Sequence, residues 1–150
     1  MPTQLLVSEQ INAPIEVVWP WVAQLEKHGE WSPKPFNIEL VSGQMNEVGS
    51  KYRSLGFIPP AEKNHENQVE IVESIPNSRF AFKAHDVNGY FDNIFSLKSV
   101  VGGTEVTFHH VFPKMVGMGR ILLPLLLPIV GKRDAMTRLR MLKSKAETAK

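Results

Sequence analysis

The segment Thr104–Phe112 combines aromatic and imidazole side chains in a strand-like alternation. Its aromatic face is expected to point inward, which places His110 inside and His109 outside. Because neighbouring side chains in a strand point to opposite faces, the two histidines cannot bind one metal ion together. The predicted inner face carries Val106, Phe108, His110 and Phe112, and the outer face carries Thr107, His109 and Val111.

An inward His110 suits two kinds of chemistry. An imidazole can exchange a hydrogen bond with a ligand carbonyl, or it can act as a general base near neutral pH. His110 is therefore the best candidate for a catalytic residue. The alternative is a core histidine that bonds to a backbone group or a buried water. We favour a pocket-lining role for His110 without catalysis.

The neighbouring strand pattern places an amide between two phenylalanines, with Phe91, Asn93 and Phe95 on one face. An unpaired amide in apolar surroundings is costly, so Asn93 should bond to a ligand, a water molecule or His110. A structural partner is favoured among these.

Trp31 can close a cavity mouth or pack against the last helix. The expected ligand-binding residues are Phe80, Phe82, Phe91, Asn93, Phe95, Phe108, His110, Phe112 and Trp31.

The sequence predicts a sheet that positions these side chains. Period-two alternation recurs in six segments after residue 35, and hairpin signals such as Asn88-Gly89 and Gly102-Gly103 separate some of them. An earlier strand at Gln4–Ile11 makes seven antiparallel strands in all. The six later strands are predicted at Phe36–Val41, Lys51–Ile58, Gln68–Ile75, Arg79–His85, Tyr90–Val100 and Thr104–Phe112, with a polar loop at Ala61–Glu66.

Helical spacing appears before and after the six strands. Pro14 suits the first position of a short helix, and a second short helical turn is predicted from Leu25 to Trp31. Near Gly131 a long amphipathic helix begins. Its apolar stripe is Ala135, Leu139, Leu142 and Ala146, with Arg138, Arg140, Lys143 and Lys145 beside it. One helix and seven strands bury their apolar faces only if a curved sheet wraps around the helix, as in a single α+β domain over residues 1–150.

The apolar run from Ile121 to Val130 has three interpretations. It can be the hydrophobic start of the long helix, a gate over a cavity, or an interfacial membrane contact flanked by Arg120 and Lys132-Arg133. The first is favoured. The run has about half of the ~20 residues that a membrane-spanning helix needs, and two prolines interrupt it.

Composition excludes several classes of protein. The 150 residues contain no cysteine, which removes disulfides, iron–sulfur clusters and thiolate zinc sites. The net charge of +2 gives no argument for nucleic-acid binding. Residues 114–150 nevertheless hold nine basic and two acidic residues. We favour a solvated helix face against an acidic body over attraction to anionic lipid headgroups or nucleic acid.

Several short motifs follow one another in a fixed order along the chain. They are Ile11 to Trp19, Trp31-Ser32-Pro33, Val48 to Tyr52, Ile75 to Phe80 and Gly102 to Thr107. Their order resembles the START-like, or SRPBCC, superfamily of polyketide cyclases and dehydrases, pollen-allergen-type proteins and lipid-transfer domains, and the resemblance covers nearly the whole chain. It implies a helix-grip fold, in which the sheet grips the C-terminal helix and leaves a cavity for an apolar ligand.

These observations predict a protein that binds or transports a small hydrophobic molecule. The alternatives are a cyclase- or dehydrase-like enzyme using acid–base chemistry in the cavity, and a peripheral membrane protein. An enzyme is the less favoured outcome, because the sequence has no phosphate loop, dinucleotide fingerprint, metalloprotease motif or nucleophile elbow. We expect no cofactor, metal or nucleic acid, a cytoplasmic location without a signal peptide, and a monomer or homodimer.

Overall fold

The computed structural model describes residues 3–33, 37–58, 62–86, 89–115, 117 and 119–149. Its centre is one seven-stranded antiparallel sheet with the strand order β1-β7-β6-β5-β4-β3-β2. The strands are β1 (Thr3–Ile11), β2 (Asn37–Ser42), β3 (Lys51–Ile58), β4 (Glu62–Ile75), β5 (Arg79–Asp86), β6 (Gly89–Val100) and β7 (Gly103–Met115).

The helices follow β1 and β7. Helix α1 (Ile15–Ala23) is followed by a 3-10 helix (Leu25–Trp31), and the C-terminal part comprises α2 (Gly119–Leu126), a π-helical turn (Leu127–Gly131) and α3 (Lys132–Ala149). The predicted α+β helix-grip architecture is confirmed, with its seven strands, two short helices and long C-terminal helix.

Two predicted boundaries are wrong. The polar segment at residues 61–66 was expected to form a loop, but β4 begins at Glu62, and Leu55 of β3 pairs with Glu66. A strand can be polar when its backbone is paired, so the side-chain pattern carried no signal there. Pro14 precedes α1 as its cap, because the Pro14 carbonyl accepts hydrogen bonds from the Val17 and Val18 amides. Asn88 of the predicted hairpin pair lies outside the described residues.

The long helix α3 packs mainly along β1. Its buried stripe is the predicted one, Ala135, Leu139, Leu142 and Ala146. At the end of α3 the Glu147 carboxylate accepts a hydrogen bond from the Asn12 amide at 2.8 Å, and Lys143 Nζ donates one to the Gln10 carbonyl at 2.8 Å. These bonds join the end of the helix to the end of the first strand.

The C-terminal helix extends upstream of Gly131 but does not bury its apolar residues there. Leu127 is buried, whereas Ile121, Leu125 and Ile129 are 64%, 68% and 63% exposed. Pro124 and Pro128 cannot donate backbone hydrogen bonds, and the helix widens into the π-helical turn beside them. The apolar run is therefore continuous with the long helix, as the favoured interpretation expected, but this side of α2 is exposed to solvent.

Candidate ligand-binding site

The antiparallel register brings the predicted aromatic residues into rows across the inner face of the sheet. Phe80, Phe95 and Phe108 occupy one row. Phe82, Asn93 and His110 occupy the next, and Leu5 of β1 continues it. Residues that pair directly across strands share a face, so the register alone places all of these side chains on one side. Phe91, two residues before Asn93, and Phe112, two residues after His110, lie on the same face.

These residues divide into two groups by exposure. Phe80, Phe95, Phe108, Phe112 and Trp31 are buried in the core. Phe82, Phe91, Asn93 and His110 are only partly buried and keep solvent-accessible surface. We call the second group the inner site. The first group forms the packed wall behind it.

His110 is surrounded by aromatic rings. Its ring centroid lies 5.2 Å from that of Phe108, 4.3 Å from that of Phe112 and 6.3 Å from that of Phe91. Burial lowers the pKa of His110 to about 3, and the positive charge of Arg138 contributes to the same shift. The imidazole is therefore neutral at physiological pH and can both donate and accept a hydrogen bond.

Asn93 lies directly opposite His110 in the strand register. Among the side chains that the structure describes, no hydrogen bond joins Asn93 to His110, although such a structural partner was the favoured expectation. Both groups remain available to a ligand or to water. His109 points to the opposite side of the sheet, where its Nε2 lies 2.9 Å from Gln4 Oε1.

Trp31 is fully buried, so it does not close a cavity mouth. Its indole N–H donates a hydrogen bond to the Trp21 carbonyl at 3.1 Å. Its ring packs edge to face on Phe95, with 5.6 Å between the centroids, and lies beneath Arg138 of α3. The second expectation, packing against the last helix, describes its position.

A fully buried histidine, His28 of the 3-10 helix, was missed in the sequence. Its Nε2 lies 2.7 Å from the Val22 carbonyl, which can only accept, so Nε2 carries the hydrogen. Burial lowers its pKa to about 3. The ring contacts Trp31, Phe80, Phe82 and Phe95. A seven-residue 3-10 helix has too few turns for periodicity to show which side faces the core.

Arg138 of α3 was also missed as a site residue, because it was grouped with the solvated cations. It lies three residues after Ala135 and four before Leu142, so the helical period places it at the edge of the buried stripe. The guanidinium carbon is 6.0 Å from the Trp31 ring centroid. Burial lowers the pKa of Arg138, and the negative charge of Asp134 partly offsets the effect. The spacing of Arg138 from Ala135 and Leu142 was the sequence signal that could have identified it as a site residue.

Away from the inner site, an open depression of about 410 Å³ lies at the start of α1. It is lined by residues 12–16 and by the turn between β6 and β7. The described residues include no cluster of three or more histidine or carboxylate side chains arranged to hold a metal ion.

A scan against protein families matches residues 12–121 to the family described as activator of Hsp90 ATPase homolog 1-like protein. The chain belongs to this family. Its membership and its fold place it in the SRPBCC superfamily that the sequence motifs resemble. A search of curated proteins finds no match.

Solved structures of low sequence identity share the fold. Protein CV1439 from Chromobacterium violaceum has a TM-score of 0.73 at 15% identity, with 97% of this chain and 99% of that chain covered. TTHA0849 from Thermus thermophilus has a TM-score of 0.73 at 14% identity, with 98% and 99% covered. Protein Ms6760 from Mycobacterium smegmatis has a TM-score of 0.69 at 16% identity, with 95% and 89% covered.

Proposed function

We propose that this protein binds a small hydrophobic molecule at the inner site. The observation that carries the proposal is the partial exposure of Phe82, Phe91, Asn93 and His110 on an aromatic sheet face that otherwise forms packed core. Ligand sites combine mainly apolar walls with a few polar groups that fix orientation, and this composition matches. Membership of a superfamily with hydrophobic ligand binding supports the same function.

A cyclase- or dehydrase-like activity fits this geometry less well. A general base works best when its pKa lies near the operating pH, and His110 has a pKa of about 3. A neutral imidazole that accepts or donates a hydrogen bond suits recognition of a ligand carbonyl or hydroxyl. The inner site therefore supports binding without turnover.

The proposal is tested by a substitution that introduces a large side chain into the inner site from one strand of the sheet. Ala84 of β5 lies on the inner face, where it pairs with Phe91, and Lys83 beside it is exposed on the other face. We expect Ala84→Trp to weaken binding of the neutral fluorophore N-phenylnaphthylamine by at least about tenfold, because the indole occupies the ligand volume. The matched control Lys83→Trp introduces the same side chain outside the site and should leave the affinity unchanged.

Fluorescence titration measures the dissociation constants, and urea denaturation shows whether both variants are folded. Equal affinities in folded Ala84→Trp and Lys83→Trp would contradict the proposal. Native mass spectrometry of protein purified from its own source then identifies any hydrophobic compound that copurifies.

A second candidate function is association with an anionic membrane surface through α2 and the π-helical turn. We call the six exposed residues Ile121, Leu122, Leu125, Leu126, Ile129 and Val130 the apolar face. Contiguous exposed apolar residues of this size are unusual on a soluble protein surface. Arg120, Lys132 and Arg133 flank the face and are exposed, which complements anionic headgroups. No helix formed by the described residues has the length and hydropathy required to span a bilayer.

Flotation with phosphatidylglycerol-containing and pure phosphatidylcholine vesicles tests this second function. We expect binding to the anionic vesicles that weakens as salt is added. The variant Leu125→Ser/Ile129→Ser should lower the bound fraction by at least about tenfold, because two apolar side chains lose their burial in lipid.

The control variant Val41→Ser/Val101→Ser removes two exposed apolar side chains outside α2 and should bind like the wild type. Neutralising Arg120, Lys132 and Arg133 to glutamine should remove the dependence on salt. If both double-serine variants bind equally, the apolar face is not the contact with lipid.

A further inference from the structure

Arg138 differs in its surroundings from the three cations that follow it in α3. Arg140, Lys143 and Lys145 form ion pairs with Glu9, Glu147 and Glu30, respectively. Among the side chains that the structure describes, no carboxylate is close enough to form an ion pair with Arg138. Its guanidinium lies over the buried ring of Trp31, and its charge acts on both His28 and His110. A cation thus faces the aromatic side of the sheet without a described counter-ion.

Arg138 is half-buried, and partial desolvation of a cation is unfavourable where no ion pair offsets it. The Trp31 ring gives part of the compensation through a cation–π contact. The charge of Asp134 gives another part, but Asp134 is exposed to solvent. The guanidinium N–H groups remain suited to an oxyanion that enters from the inner site.

Building on the proposed function, we propose that Arg138 binds the anionic end of an apolar ligand whose body occupies the inner site. The chemical class is a hydrophobic monocarboxylate. A guanidinium can bind a carboxylate through two parallel hydrogen bonds, and the single positive charge balances one negative charge. The other polar groups, Asn93 and His110, are neutral, so they can accept or donate hydrogen bonds to a carbonyl or hydroxyl but add no further positive charge.

Two probes with the same aromatic skeleton test this inference. N-phenylnaphthylamine is neutral, and anilinonaphthalene sulfonate adds one oxyanion group to it. In the wild type we expect tighter binding of the sulfonate than of the neutral probe. Arg138→Met should weaken binding of the sulfonate by about tenfold to one hundredfold, the range for a hydrogen bond to a charged group, and leave the neutral probe unchanged.

Variants of matched charge separate a specific contact from general electrostatics. Arg140→Met removes the same charge from an exposed position two residues away and should change neither affinity. Arg138→Lys keeps the charge without the planar fork and should fall between the wild type and Arg138→Met for the anionic probe. Competition against the neutral probe extends the test to carboxylates, with naphthoate expected to displace it more strongly than methyl naphthoate.

All titrations are repeated in the Leu125→Ser/Ile129→Ser background, so that dye bound at the apolar face does not contribute. Selective loss of anion affinity in Arg138→Met supports the inference. If the neutral probe binds but Arg138→Met weakens both probes equally, or weakens neither, the inference is overturned while the proposed function stands. If neither probe binds the wild type, the proposed function fails and this inference fails with it.

Discussion

Two histidines, His28 and His110, lie among aromatic rings, and the pKa of each is lowered to about 3 by burial. Burial disfavours the charged imidazolium, and the charge of Arg138 adds to that effect at both sites. Both residues are therefore hydrogen-bonding groups rather than cations at neutral pH. His28 uses this capacity within the core, on the Val22 carbonyl, whereas His110 presents it to the inner site.

The buried His28 makes stability depend on pH. The unfolded chain protonates this residue near its ordinary pKa of 6.5, while the folded protein does so only near pH 3. The unfolded state therefore binds more protons in this window, and the free energy of unfolding falls as the pH is lowered from 6.5 towards 3. The loss from one such group is about 1.4 kcal/mol per pH unit.

We expect His28→Phe to reduce the loss of stability between about pH 7 and pH 5 by about 2 kcal/mol relative to the wild type. Urea denaturation at the two pH values measures this difference, which is insensitive to a uniform destabilisation by the substitution. His110→Phe should act in the same direction. An unchanged pH dependence in His28→Phe would show that the folded protein protonates His28 as readily as the unfolded chain does.

At the scale of elements, α2 and α3 form one helical run with two surfaces. In α3 the buried stripe faces β1, and the cations beside it pair with acidic residues of β1 and the 3-10 helix, as for Arg140 with Glu9 and Lys145 with Glu30. In α2 and the π-helical turn, the six residues of the apolar face are exposed to solvent. The expected solvated face against an acidic body thus describes α3, whereas the apolar face of α2 is left uncovered by the described residues.

The β6–β7 turn packs tightly against the corner between β1 and α1. A Cβ atom at Gly103 would lie 2.0 Å from the Ile11 carbonyl oxygen, and the neighbouring Thr104 hydroxyl donates a hydrogen bond to the Ala13 carbonyl at 2.8 Å. Only glycine fits there without movement of the backbone. The Gly102-Gly103 pair therefore serves this contact as well as the hairpin.

Gly103→Ala is expected to destabilise the protein by at least about 1 kcal/mol more than Gly49→Ala does, since the clash involves backbone that cannot rotate away. Gly49→Ala is the matched control. Its backbone has φ +92 with nothing near the added methyl group, so it should lose only the conformational cost of about 1–3 kcal/mol. Urea midpoints measure both. If the two variants are equally stable, the backbone at the corner between β1 and α1 adjusts to the added methyl group without loss of stability.

For the whole molecule, the sheet order β1-β7-β6-β5-β4-β3-β2 puts the first and last strands side by side and leaves β2 at the far edge. Helix α3 packs chiefly at the β1 side of this sheet. Phe80, Phe95 and Phe108 form one row across β5, β6 and β7 and are buried, whereas Phe82, Asn93 and His110 form the next row along the same strands and keep accessible surface. Position along the strands, rather than distance from β1 across the sheet, therefore decides which inner-face residues form the inner site.

Much of this architecture follows from local pattern. Period-two alternation predicted the strands, their turn residues predicted antiparallel neighbours, and the stripe from Ala135 to Ala146 predicted α3. Alternation likewise predicted that His110 and His109 face opposite sides. These features depend on backbone geometry that repeats about every two or 3.6 residues, so a single sequence carries them. Their role in ligand binding remains a prediction.

The tertiary structure alone decided which of these residues are accessible. Phe80 and Phe82 have the same alternation and the same chemistry, but only Phe82 keeps exposed surface, because burial depends on what packs above each position. Arg138 and Arg140 are two residues apart on one helix, yet one lies over Trp31 and the other lies near Glu9. Long-range packing sets the solvation of each group, and the sequence pattern of a single element contains no information about its neighbours in space.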